Sequence, residues 1–171
     1  MITLDSCRVM ARYNAWQNDN LYAAAALLED EGRRAPRGAF FGSIHATLNH
    51  LLWADRMWLS RFGRGEAPGG GIAGSVALVA EWQALCAARR DMDAVIVDWA
   101  DALAPEDLAG DLAWYSGASG REMTRPKALC VLHLFNHQTH HRGQVHAMLT
   151  AAGAVPGPTD LVFAPGEMLG A

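Results

Sequence analysis

Four stretches of this chain carry apolar side chains at three- and four-residue spacing, and segments rich in Gly and Pro separate them. That period is the mark of a helix with one buried face. Long helices of this kind can cover their apolar faces only against one another, which points to a helical bundle. The first stretch, 3–29, repeats Leu4, Val9, Met10, Tyr13, Trp16, Leu21, Leu27 and Leu28, with Thr3, Asp5 or Ser6 available as cap. A break at 31–38 (EGRRAPRG) leads to the second, 43–61, where Ser43 is the expected N-cap and Ile44, Leu48, Leu51, Leu52 and Leu59 form the stripe. Residues 62–74 read as loop. Ser75 is expected to open a third helix to about Ala100, with Val76, Val79, Trp82, Leu85, Met92, Val95 and Ile96 inward. At 111–126, DLAWYS and REMTRP flank Gly-Ala-Ser-Gly and predict a small hairpin, or failing that an irregular segment. Pro126 suits the start of a fourth helix, 127–152, which Gly153 ends. In the tail, Leu161, Val162 and Phe163 are expected to pin the chain to the body. The expectation is an all-α four-helix bundle, a single domain over 1–171.

With 51% hydrophobic residues among 171, the chain can bury a core without disulfides or a structural metal, so any metal is free to be functional. The net charge of −4, with scattered arginines, excludes the basic footprint of a nucleic-acid or anionic-membrane binder. Cys7, Cys86 and Cys130 are far apart with no CxxC, and are expected to act as small core hydrophobes. The charged N-terminus does not read as a secretory signal, and no apolar run is long enough to span a bilayer, so a cytoplasmic protein is expected. Six tryptophans in a chain of this size fit core or homodimer packing.

Five of the seven histidines lie in one stretch of the fourth helix, ALCVLHLFNHQTHHRGQVHAML. His133, His137 and His141 follow at i, i+4 and i+8 on one face. Either adjacent pair can share one ion, but His133 and His141, about 12 Å apart along the axis, cannot. His140 and His146 lie off that stripe and are expected to be polar surface or supporting groups. A third ligand must come from another helix. The second helix offers His45, expected to be exposed in its first turn, and His50, mid-helix among Leu51, Leu52 and Trp53, where a buried polar group needs a partner. None of the seven glutamates has a His three residues later, and HExxH is absent, which excludes di-iron carboxylate and zincin sites. Imidazole ligands favour zinc, nickel or ferrous iron over calcium or magnesium.

The run Asn136-His137-Gln138-Thr139-His140-His141-Arg142-Gly143-Gln144 (NHxxHHRGQ), together with LNHLLWADRMW at 48–58, resembles the signature of the DinB/YfiT-like metalloproteins. The helix order, the hairpin before the last helix and the tail from 151 match as well, so the resemblance covers nearly the whole chain. It implies an up-down-down-up bundle and one divalent ion per chain held by His50, His137 and His141. It also implies a homodimer, and an activity such as metal-dependent thiol S-transfer from a low-molecular-weight thiol to a small electrophile. The resemblance selects the second of the two histidine pairs and leaves His133 as a pocket or supporting residue.

Three imidazoles leave coordination positions open, as in catalytic sites. An ion there can activate a thiol, or water in a metal-dependent hydrolase. The competing class is a non-catalytic metal-binding or stress-response protein. Asp55 and Arg142 are expected either to orient ligands or to pair with each other across helices two and four. Gln144 can donate to a substrate or face outward, and Trp53 can wall the metal pocket or pack in the core. Gly143, inside a helix at a cost of about 1 kcal/mol, is expected to permit close helix approach.

Overall fold

The computed structural model describes residues 1–166. Four long helices carry the fold: α1 (Leu4–Ala26), α3 (Ile44–Arg61), α5 (Trp82–Ala102) and α6 (Lys127–Ala151), with short helices α2 (Asp30–Arg34) and α4 (Gly71–Gly74) between them. The hairpin forms as β1 (Asp111–Ser116) and β2 (Arg121–Pro126), antiparallel with Trp114 opposite Met123. The protein is thus mostly helical but not strictly all-α. Gly120 closes the hairpin turn at a φ of 65°, a conformation a side chain would strain.

Local chemistry sets the helix ends. The Thr3 hydroxyl accepts the Ser6 amide at the start of α1, and the Ser43 hydroxyl accepts the Ala46 amide at 3.1 Å at the start of α3. Gly153, at a φ of 81°, reverses the chain after α6, so that the Ala154 amide returns to the Leu149 carbonyl at 3.0 Å.

Three expectations are corrected. The third long helix begins at Trp82, not Ser75. Residues 75–77 form a 3₁₀ turn, and the Val79 amide donates to Asn49 Oδ1 at 2.7 Å, which docks this stretch flat against α3. Its apolar residues face α3 from a loop, and the spacing mimicked helix. Val95, placed on the inner face, is 45% exposed. Leu161, Val162 and Phe163 are exposed, and the tail is instead tied through main-chain carbonyls. Tyr13 Oη donates to Thr159 and Gln17 Nε2 to Pro158.

Among the long helices, α1 packs on α5 and α6, and α3 packs on the same two helices. The apolar core includes Leu21, Leu48, Leu52, Leu85, Ile96, Leu134, Phe135 and Leu149, with Cys7, Cys86 and Cys130 buried as the sequence predicts. A polar network runs through this core. Arg89 of α5 pairs with Asp55 of α3 at 2.7 Å and with Asp93 at 2.9 Å. Asp93 accepts from Asn14 and Asn18 of α1, and Asp55 accepts from Gln138 of α6, each at 2.9 Å. Buried charges persist only when partnered in this way. Among the described residues, no single helix is long and apolar enough to cross a membrane.

Candidate metal centre

Because α3 and α6 pack side by side, His50 faces the α6 stripe that carries His137 and His141. One ring nitrogen from each of the three lies within 4.8 Å of the others. His50 Nε2 and His137 Nε2 are 3.3 Å apart. Two imidazole nitrogens bound tetrahedrally to zinc at 2.0–2.1 Å stand about 3.3 Å apart, so the spacing suits a shared ion.

Neighbouring groups fix the orientation of two rings. The Ser75 hydroxyl spends its proton on the Ile72 carbonyl at 2.6 Å, so it accepts from His50 Nδ1–H at 2.8 Å. The Gln144 amide donates to His140 Nε2 at 3.2 Å, which leaves its oxygen to accept from His141 Nδ1–H at 2.8 Å. Both arrangements leave Nε2 as the free lone pair, the way supporting groups usually hold metal-binding histidines. His137 Nδ1 is buried and has no hydrogen-bond partner among the described residues. With the His50 proton held at Nδ1, the gap between the two Nε2 atoms must hold either a proton on His137 or a cation. Phe41 stacks on His50, ring centroids 3.8 Å apart, and covers one side of the cluster.

Burial, aided by the nearby imidazoles, pushes His137 down to about 3 and His50 down to about 4. Burial lowers His141 as well, with the Gln144 hydrogen bond opposing it. All three rings are therefore neutral at pH 7, the form that can bind a metal ion. The donor set is purely imidazole.

The other sequence-derived residues divide between the cluster and its surroundings. Trp53 lies on the same side of α3 as His50, and its indole N–H donates to the Gly69 carbonyl at 3.0 Å. His133 stays outside the cluster, its ring 5.7 Å from His137 and edge-on to Trp58 at 5.0 Å. Gln144 acts on His141. His140 braces Gln144, and half-buried His146 lines a cleft between α1 and α6 away from the cluster.

Three expectations fail here. His45 is buried rather than exposed, with Asn49 Nδ2 at 3.2 Å from its Nδ1. Asp55 and Arg142 do not pair. Arg142 sits about 100° around α6 from His141 and points to α1, where it donates to Asn14, while Asp55 is taken by Arg89 and Gln138. Gly143 permits no close approach, since a Cβ built there meets no heavy atom within 4 Å among the described residues.

The cluster opens onto a cavity of about 660 Å³ lined by His50, His137, Trp53, Trp58, His133 and Trp114, among others. Sequence reasoning missed the roles of Phe41, which lies in a turn before α3, and of Ser75, whose segment reads as the start of a helix. It also missed Arg61, which reads as an ordinary helix end.

Comparison with known proteins agrees with this picture. The family model described as DinB family matches residues 1–167. Protein DinB of Bacillus subtilis (strain 168) is 26% identical over 155 residues, 86% of this chain and 87% of its own length. No solved structure gives a significant match.

Proposed function

This chain belongs to the DinB family, and on that premise we propose that His50, His137 and His141 hold one divalent ion per chain, zinc, nickel or ferrous iron, for transfer of a low-molecular-weight thiol to a small electrophile. The observation that carries this reading is the convergence of three neutral imidazoles, two of which, His50 and His137, line a large cavity. Among the described residues no carboxylate or thiol joins them, so coordination positions face the cavity. A divalent ion in that position lowers the proton affinity of a thiol bound to it.

The chain's own residues do the rest. Ser75 and Gln144 hold two imidazoles in the binding tautomer. Phe41 and Trp53 stack on His50 and shield it from water. His133 presents to the cavity an imidazole whose proton affinity burial and the Arg61 charge lower. It is neutral at pH 7 and available to take up the thiol proton.

The same reading takes the long helices as up-down-down-up. Arg12–Asp101 and Asn18–Asp93 support opposite directions for α1 and α5, as do Trp58–His133 and His50–His141 for α3 and α6. Asp55–Arg89 and Phe62–Trp99 support parallel α3 and α5. It also includes a cytoplasmic homodimer.

Cobalt-loaded protein titrated with common cellular thiols tests the transfer. A sulfur-to-metal charge-transfer band is expected with the right thiol, and is expected to vanish in His141→Ala. Absence of the band with every thiol would refute thiol transfer. The three native cysteines are all buried, and replacing them with Ser or Ala removes them as a source of the band.

A further inference from the structure

The cavity beside the histidines has a charge pattern unlike that of the whole chain. The chain carries a net charge of −4, yet no Asp or Glu lines this cavity. The rings of Trp53, Trp58, Trp114, Tyr115 and His133 line it, interspersed with small and aliphatic residues such as Ala54, Ile72 and Ala118, and its one permanent cation is Arg61.

Arg61 is held unusually. Its guanidinium lies over Trp58, 4.5 Å from the ring centroid, and 5.5 Å from that of Trp114. Among the described residues no carboxylate comes within salt-bridge distance of it. Asp107, which shares a smaller cavity with Arg61, has its Oδ2 taken by the Ala104 amide. Contact with aromatic faces leaves the edge of a guanidinium, with its fork of N–H donors, free to bind a carboxylate in bidentate fashion. Half-burial strengthens any such bond, because water competes less for the donors.

A path of rings joins this cation to the histidine cluster. Trp58 meets His133, and His133 meets His137. Along α3, Arg61 and His50 stand about 16 Å apart by helix rise. A flat ligand bound at Arg61 lies along this path of rings, and one long enough to cross that distance reaches the histidines.

We propose that this cavity selects a planar, apolar organic carboxylate, gripped at its carboxylate by Arg61 and along its body by the tryptophans. The proposal rests on the cavity being the substrate cavity of the metal centre, and it names the electrophile's chemical class.

trans-Cinnamate and its uncharged analogue cinnamamide serve as probes, titrated calorimetrically into the full chain with and without metal. The wild type is expected to bind the carboxylate about tenfold more tightly than the amide, in both metal states. Arg61→Gln is expected to erase the preference, and Arg61→Lys to keep part of it. Equal affinities in the wild type, binding of neither probe at millimolar concentration, or a preference that survives in Arg61→Gln would each overturn the proposal. A preference lost on chelation alone would also overturn it, by assigning the carboxylate to the metal. Should Arg61→Gln fail to fold, the wild-type comparison and Arg61→Lys decide. A missing cobalt–thiolate band alongside an intact Arg61-dependent preference would sink the transferase reading and leave this one standing.

Discussion

At the scale of single residues, the centre depends on which nitrogen of each histidine carries the proton. Ser75 settles this for His50, because its own hydroxyl proton is committed to Ile72. Ser75→Ala removes that acceptor and leaves the tautomer free. Metal affinity is expected to fall about 10–100-fold, read by competition with a coloured chelator, with helix content unchanged. The depressed titration of His137 has a consequence for the metal-free protein. The unfolded chain binds a proton there near pH 6.5, whereas the folded chain resists until about pH 3. Between those values the unfolded state holds more protons, so stability falls as pH drops. In metal-free protein, His137→Gln is expected to lose less stability than the wild type between pH 7 and 4, measured by urea unfolding. An equal loss would contradict the burial of a neutral ring.

At the scale of elements, what could be read in the sequence followed from periodicity and caps. The histidine stripe of α6, the Ser43 cap and the hairpin all have local causes that reside in neighbouring residues. The 75–81 segment does not. Its apolar spacing is helical, but Asn49, far off in sequence, takes the Val79 amide and fixes the segment as a docked loop. His45 likewise escaped, since the groups beside it, Asp30 and Arg34 of α2 and the Ala80 main chain, lie far from it in sequence. Arg142 was legible and misread: a position about 100° from His141 cannot share its facing helix. Asn49→Ala is expected to loosen 75–81, with faster amide hydrogen exchange there and little change in α6. Because the loosened segment carries Ser75, metal affinity should fall in the same variant.

At the scale of the whole molecule, one buried ionic network joins all four long helices. Arg89 links Asp55 and Asp93, and these reach α1 through Asn14 and Asn18 and α6 through Gln138. Taking one partner from a buried charge pair costs about 3–5 kcal/mol, because the remaining charge stays desolvated. Asp55→Ala is expected to destabilise by about that much in chemical denaturation. A loss under about 1 kcal/mol would show that water reaches Arg89. The network also braces the centre, since Gln138 sits between Phe135 and His141 on α6 and anchors that helix against α3. The most direct test of the central claim is the metal content of untagged protein, measured by elemental analysis for the wild type and for single His→Ala variants. About one divalent ion per chain is predicted for the wild type and for His133→Ala, with loss of the ion in His50→Ala, His137→Ala and His141→Ala. Full metal retention in His137→Ala would contradict the three-histidine centre.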